Sequence, residues 1–251
     1  KERIVKEYMA HSIILKIKYR FIMKFFIFLS IAFLSNNSVS AEVVGYWDQG
    51  WERVMPPDKA DLSIGFMGYS DVSKAIRDNE KLINRMIGQK FLAIGGGNAK
   101  GRFTPQAIVK VTEAIEQDKF NGYEGVAFDI EVCEGKHLIS FFNEAFSAAK
   151  RKKLKILVTI SHSEPYACDN SENLMMAIIA NQDIDIISPQ LYTTGQEKRN
   201  NYISIGTDWG IYQKTKAKVL PSIVHPSLYP EAKQFFFSQG VKVRGFIKWA
   251  N

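Results

Sequence analysis

Residues 123–131 read Tyr-Glu-Gly-Val-Ala-Phe-Asp-Ile-Glu, an apolar stretch that ends on two carboxylates. Side chains alternate between the two faces of a strand, so Asp129 and Glu131 share one face of the strand predicted here. Carboxylates are uncommon in strands and costly to bury without partners. Two of them at the end of one strand indicate either a catalytic pair or a strand end that opens into a solvated loop.

Seven further strand-like segments accompany this one, and most are separated by segments with helical periodicity. They are residues 43–47, 62–67, 91–94, 156–160, 184–192, 219–224 and 243–249. Apolar strands that alternate with helices are typical of a (β/α)8 barrel. We therefore predict an α/β protein with one TIM-barrel domain over residues 42–251, which lacks sequence for the closing helix. Thr104 and Pro105 are predicted to begin one helix, and residues 202–216 to contain another.

The first 41 residues differ from the rest. Met23 and Lys24 precede an apolar run at residues 25–34, and Val39-Ser40-Ala41 has the small residues of a cleavage site. We interpret residues 23–41 as a secretory signal peptide, cleaved after Ala41, so we expect a secreted protein that is free of the membrane after cleavage. Residues 1–22 are either translated upstream sequence or a basic segment that anchors the protein on a membrane.

The net charge of +7 is concentrated in that leader. Residues 1–41 hold seven of the 33 Lys and Arg and two of the 26 Asp and Glu, which leaves a net charge of +2 on the predicted domain. The basic balance of the whole chain therefore gives no reason to expect a nucleic-acid partner. A monomer is the expected state.

Cysteine and histidine give two further expectations. Cys133 and Cys168 are an even pair in a chain predicted to be exported, so a disulfide is favoured over two buried free thiols. His137, His162 and His225 lack the spacing of metal ligands and are expected at the surface or in hydrogen bonds. We predict neither a metal nor a cofactor.

The predicted strands end on polar and aromatic residues. In a barrel of this kind the site lies at the carboxyl ends of the strands. Besides the two carboxylates, these ends carry residues 46–49 after strand one, a glycine run at 95–97, Gln190 and Tyr192 after strand six, and Trp249 after strand eight.

These motifs resemble those of glycoside hydrolase family 18, in particular the hevamine-like, plant-type chitinases. The family's catalytic strand reads Asp-Gly-x-Asp-x-Asp-x-Glu, which Gly125, Asp129 and Glu131 match, while Glu124 replaces the first Asp and Ala127 the second. Four other segments are similar to the family's first, third, sixth and eighth strands, namely residues 45–50, 94–97, 190–192 and 245–249.

The resemblance implies retaining hydrolysis assisted by the substrate's own N-acetyl group. Glu131 would then be the general acid, Asp129 would orient the acetamido group, and Tyr192 would donate a hydrogen bond to it. The remaining substrate contacts would come from Gln190, from Trp249 as an apolar floor, and from Tyr46 and Gly96. The implied substrates are β-1,4-linked N-acetylglucosamine polymers such as chitin, or N-glycan cores.

Two departures from the family motif occur together. The family has a serine on strand three that bonds the innermost Asp of the catalytic strand, and this chain has Ala93 and Ala127 at those positions. Loss of both partners leaves no polar group unpaired. We therefore expect an intact site in which the two alanines together replace the serine and the aspartate. Without an inner partner, Asp129 should turn toward Glu131. Ala127 and Thr193, where many members have an Asp, keep open the alternative of a chitinase-like lectin with little or no catalytic activity.

Overall fold

The computed structural model describes residues 41–251. The predicted upstream segment at 1–22 and the predicted signal peptide, except for Ala41, lie outside the described residues. Among the helices of the described part, none is both long and apolar enough to cross a bilayer.

Eight parallel strands form a closed barrel, which confirms the predicted fold. They are β1 (Val43–Gln49), β2 (Leu62–Phe66), β3 (Gln89–Gly95), β4 (Gly125–Ile130), β5 (Lys155–Ser161), β6 (Ile186–Gln190), β7 in two pieces (Lys218–Val219 and Ser222–Ile223) and β8 (Gly245–Lys248). The ring closes because β8 pairs with both β1 and the second piece of β7, which pairs in turn with β6.

Five α-helices surround the barrel in the part of the chain that the structure describes. They are α1 (Val72–Ile83), α2 (Pro105–Glu116), α3 (Leu138–Arg151), α4 (Ser171–Ala180) and α5 (Tyr229–Ser238). Helix α2 begins as predicted, with Thr104 Oγ1 accepting a hydrogen bond from the N–H of Ala107 at 3.2 Å and Pro105 in its first turn.

The connection between β6 and β7 differs from the prediction. Instead of an α-helix, it contains the 3-10 helix Trp209–Lys214 after a long irregular loop. Gly206 and Gly210 lie in this stretch, and glycine weakens a helix. Among the described residues, no helix follows β8.

The barrel strands carry two separate apolar layers. Outward-facing residues such as Val126, Phe128 and Ile130 of β4 pack against the surrounding helices. Inward-facing residues fill the barrel, and they include Trp47, Ile64, Phe91, Leu157 and Ile247. The alternation predicted for β4 is therefore present, with Ala127 and Asp129 on the inner face.

Ala93 and Ala127 are direct neighbours across β3 and β4. Both side chains are fully buried among the inward-facing apolar residues. A carboxylate at position 127 would therefore enter a layer that offers it no polar partner at position 93. This geometry fits the expectation that the two alanines compensate for one another.

We predict that Ala127→Asp lowers the free energy of unfolding by about 3 to 5 kcal/mol, because it buries an uncompensated charge. Ala93→Ser alone should cost about 1 to 3 kcal/mol for a buried hydroxyl without a partner. The double variant should recover about 1 kcal/mol relative to the sum of the two costs. Urea denaturation of the four proteins measures this coupling, and strictly additive costs would show that the two positions do not interact.

Candidate active site

Strand β4 delivers two carboxylates to the barrel mouth. Asp129 is almost completely buried inside the barrel, and Glu131 follows the last residue of the strand at the floor of a cleft. The N–H of Gly97 is hydrogen-bonded to the Glu131 carboxylate. A Cβ atom at position 97 would lie 2.8 Å from Glu131 Oε2, so glycine at this position leaves room for the carboxylate.

The two carboxylates share a hydrogen bond and a common neighbour. Gln190 Nε2 lies 3.2 Å from Asp129 Oδ1 and 3.4 Å from Glu131 Oε1. Burial raises the pKa of Asp129 well above its ordinary value, and the adjacent Glu131 raises it further. Burial also raises the pKa of Glu131, against the opposing effect of its hydrogen bonds. The pair therefore keeps a proton to higher pH than two separated carboxylic acids would, and Asp129 is turned toward Glu131, as expected.

Tyr192 stands beside this pair. Its ring stacks on Trp249, with ring centroids 5.3 Å apart. Its Oη is buried, and the Ser222 hydroxyl lies within reach of it, although the two do not form a well-aligned hydrogen bond. Burial raises the pKa of Tyr192 well above its ordinary value, and the charges of Asp129 and Glu131 raise it further, so the phenol is a proton donor over the whole neutral range.

Trp249 belongs to an aromatic cluster at the opposite side of the barrel mouth. It makes edge-to-face contacts with Trp47 and Phe66, each with centroids 5.6 Å apart. Its backbone carbonyl accepts a hydrogen bond from Gln49 Nε2 at 2.8 Å. The indole is therefore held from both β1 and β2, as a surface against which an apolar face of a ligand can pack.

These groups line a cleft of about 590 Å³, which is within the usual range for a ligand site. Its lining includes four of the predicted site residues, Glu131, Gln190, Tyr192 and Trp249, while Asp129 lies just beneath Glu131. The structure thus brings together side chains at the ends of β4, β6 and β8, and Glu131 and Trp249 among them are 118 residues apart in sequence.

Two predicted substrate contacts are not in the cleft. Tyr46 points outward from β1, is buried, and accepts a hydrogen bond from the N–H of Ile87 through its hydroxyl at 3.1 Å. The reason is strand alternation: Trp47 takes the inward position, which places Tyr46 on the outer face. Gly96 is buried and donates its N–H to the carbonyl of Asp129, so Gly97 rather than Gly96 lines the cleft.

The disulfide between Cys133 and Cys168 is present, as predicted. It joins two short strands, Val132–Cys133 and Ala167–Cys168, which pair beyond the ends of β4 and β5. In the same loop, Tyr166 donates its hydroxyl hydrogen to the carbonyl of Gly97 at 2.9 Å. The loop after β5 is thereby connected to the loops after β3 and β4, on either side of Glu131.

Several residues of the cleft were not predicted from the sequence, and the expectation of a surface or hydrogen-bonded His162 was wrong, because its side chain is buried with no hydrogen bond within residues 41–251. Trp51 follows β1, is 60% exposed and packs edge-to-face on Phe66. His162 follows β5, and Ile203 and Ile205 belong to the long loop after β6. The signal for Trp51 and His162 was their position just after a predicted strand, whereas nothing in the sequence of the β6–β7 loop indicates that it folds over the cleft.

Comparison with known structures supports the fold. A candidate Chitinase A from Streptomyces coelicolor matches with a TM-score of 0.51 and 11% identity, over 85% of this chain and 92% of its own. The spore cortex-lytic enzyme SleL from Bacillus megaterium and a chitinase from Chromobacterium violaceum match with TM-scores of 0.46 and identities of 10% and 14%. Each covers 73% of this chain, which spans 50% of the SleL chain and 68% of the chitinase.

At these identities the similarity concerns the fold alone: this chain is a (β/α)8 barrel of the architecture found in the Streptomyces protein. No protein-family model matches the chain. No curated protein matches it either.

The raised pKa of Asp129 predicts how stability changes with pH. The folded state binds this proton more tightly than the unfolded state, so the contribution is favourable at low pH and is lost as pH rises from the unfolded pKa toward the folded one. Asp129→Asn removes the titration and keeps an oxygen for Gln190. We expect the variant to gain stability relative to the wild type between pH 4 and pH 7, measured by urea denaturation at both values. A constant difference between the two proteins would contradict the assignment.

Proposed function

We propose that this protein is a glycoside hydrolase that cleaves β-1,4-linked N-acetylglucosamine glycans, chitin or N-glycan cores, with retention of configuration. The observation that carries the proposal is the pair of adjacent carboxylates, the buried Asp129 and the partly exposed Glu131, at one cleft with the hydroxyl of Tyr192 beside them. Paired carboxylates with raised pKa values are suited to proton transfer near neutral pH.

Glu131 is the group placed to protonate the leaving oxygen. It is the member of the pair that lines the cleft, while Asp129 lies beneath it and carries its hydrogen bond. With one proton shared by the pair, Glu131 can donate it to the glycosidic oxygen as the bond to the anomeric carbon breaks. The carboxylate that results then takes a proton from the water that completes hydrolysis.

The nucleophile in this proposal is the carbonyl oxygen of the substrate's own acetamido group. That oxygen attacks the anomeric carbon while Glu131 protonates the departing oxygen, and water later opens the resulting oxazolinium ring. Asp129 turns to accept the acetamido N–H, which stabilises the positive charge on that group. Tyr192 Oη donates to the acetamido oxygen, a role that its place beside Asp129 and Glu131 supports.

Trp249 completes the site as the floor under the reacting sugar. It lies across the barrel mouth from Glu131, since β8 and β4 are opposite each other in a ring of eight strands, and both residues line the cleft. Sugars present an apolar C–H face to aromatic rings, and the stack with Tyr192 keeps this indole in place. We further propose that the protein is secreted and acts as a monomer, with the glycan as its partner.

Glu131→Gln tests the proposal most directly. The substitution keeps the size of the side chain but removes the transferable proton, so kcat on chitin oligomers and on a high-mannose glycoprotein should fall by about a hundredfold or more. Affinity for the oligomers should remain. Glu134→Gln is the matched control, because Glu134 is exposed and its carboxylate pairs with Arg102 at the surface.

The outcomes separate the enzyme from the lectin alternative. Equal rates for Glu131→Gln and the wild type would remove the acid role. A wild type that binds chitin oligomers and turns over none of them would identify a carbohydrate-binding protein instead.

Tyr192→Phe separates catalysis from stability at a second position. Within the described residues the hydroxyl makes only a poorly aligned contact with Ser222, so its removal should change the unfolding midpoint little. The variant should nevertheless lose about tenfold to a hundredfold in kcat, because the donor to the acetamido oxygen is gone. Parallel thermal melts and steady-state kinetics provide both readings. Loss of stability with unchanged kcat would assign a structural role to the hydroxyl.

A further inference from the structure

The loop after β5 contacts Glu131 at both its backbone and its side chain. The N–H of Ala167 donates to the backbone carbonyl of Glu131 at 3.1 Å. One position earlier, Tyr166 donates its hydroxyl hydrogen to the carbonyl of Gly97 at 2.9 Å, and Gly97 in turn lies against the Glu131 carboxylate. The contacts form a closed ring, in which the loop after β5 touches Glu131 directly through Ala167 and indirectly through Gly97.

Gly97 needs such a fixed point. Its predecessor Gly96 is bonded to the carbonyl of Asp129 at 3.0 Å, and the side chain of its successor Asn98 accepts from the N–H of Lys100 at 2.8 Å. Gly97 itself is exposed and has no side chain that could pack, and glycine has more backbone freedom than any other residue. The hydroxyl of Tyr166 therefore restrains the one residue of this turn whose backbone lies against Glu131.

Tyr166 is itself held firmly enough to serve as an anchor. Its backbone N–H donates to Ser161 Oγ at 3.1 Å, and Ser161 is a buried residue at the end of β5. Two positions later, Cys168 is bonded to Cys133. The phenol thus projects from a segment that is fixed to the barrel on one side and to the loop after β4 on the other.

The ring of Tyr166 also lines the cleft and is 48% exposed. This leaves two roles for the residue, direct contact with a glycan or support of Glu131. A tyrosine hydroxyl has one hydrogen to donate, and here that hydrogen is already engaged by a backbone carbonyl. The geometry therefore favours support of Glu131.

The contact between Gly97 and Glu131 acts on the acid itself. The N–H of Gly97 stabilises the ionised carboxylate and so lowers the pKa of Glu131, in opposition to burial, which raises it. A movement of Gly97 would change both the direction of the carboxylate and its tendency to lose a proton. Displacement of a reacting group by about 1 Å can cost about a hundredfold in rate.

We propose that Tyr166 is a positioning residue for Glu131, because its bond to Gly97 fixes the carboxylate in the orientation from which it protonates the glycosidic oxygen. Tyr166 acts through Gly97 and exchanges no proton with the substrate. This inference rests on the proposed glycosidase function, in which Glu131 is the acid.

Tyr166→Phe keeps the ring and removes the bond. On chitin oligomers, kcat should fall by about tenfold while KM changes little, since the loss concerns the orientation of the acid rather than glycan binding. Without the help of Gly97 the pKa of Glu131 rises, so the acid stays protonated to higher pH. The alkaline limb of the kcat/KM profile should move upward by about half to one pH unit.

Tyr229→Phe is the matched control. Its hydroxyl also makes one hydrogen bond of ordinary length, to Glu42 Oε1 at 3.1 Å, but this residue begins α5 and is not among those that line the cleft. The control should keep the wild-type kcat and the wild-type pH profile.

A double-variant cycle tests whether Tyr166 acts through Gly97. A Cβ atom at position 97 would lie 2.8 Å from Glu131 Oε2, so one of the two residues must shift in Gly97→Ala. With the Tyr166 hydroxyl present, position 97 is held and the carboxylate gives way, which lowers kcat. Without the hydroxyl, position 97 is freer to move, so the double variant should lose less than the product of the two separate losses.

A reading that needs no turnover accompanies the kinetics. In protein labelled with ¹³C at the glutamate carboxyl carbons, the titration of Glu131 is identified by its absence in Glu131→Gln. In Tyr166→Phe this titration should move to higher pH than in the wild type, and in Tyr229→Phe it should not.

Each result bears on one of the two claims. An active wild type with an unchanged kcat and titration in Tyr166→Phe would overturn the positioning role while the proposed function stands. A raised KM with an unchanged pH profile would show that the phenol binds the glycan directly, and losses that multiply in the cycle would show that it does not act through Gly97. A wild type that cleaves no oligomer would overturn the proposed function, and the role of Tyr166 in it.

Discussion

The close approach of two carboxylates at the end of β4, one buried and one lining the cleft, is the constraint around which the barrel mouth is arranged. Like charges at this separation do not both ionise at low cost, so the site needs a shared proton and neutral donors around it. Gln190 supplies one donor from β6 and Gly97 another from the loop after β3. The glycines at residues 95–97 serve the same pair of carboxylates. Gly95 and Gly96 have positive φ, and Gly97 leaves room for the Glu131 side chain.

Much of this arrangement could be predicted from local patterns. The apolar runs located all eight strands, and the alternation predicted for β4 is present, with Asp129 on the face that turns out to point into the barrel. Thr104 and Pro105 located the start of α2, because a helix cap depends only on nearby residues. The family resemblance was equally informative for Gln190, Tyr192 and Trp249, since strand ends of a closed barrel converge on one mouth.

Other features depend on packing that no local pattern reveals. Alternation in β1 does not show which face of the strand points into the barrel, because Gly45, Tyr46 and Trp47 are each compatible with either face. Trp47 faces inward because the barrel interior accommodates its ring, with the indole N–H donating to Ser222 at 3.1 Å. The role of the β6–β7 loop was likewise hidden, since its contact with Ser163 joins residues more than 40 positions apart.

The loop after β5 determines what reduction would do to the cleft. Its place beside Glu131 depends on the bond between Cys133 and Cys168 and on the contact from Tyr166 to Gly97. The barrel strands need neither, because their hydrogen bonds and apolar layers are independent of thiol chemistry. Reduction of the disulfide would therefore leave the strand hydrogen bonds that hold Asp129 in place, and it would remove the covalent link between the two loops that flank Glu131.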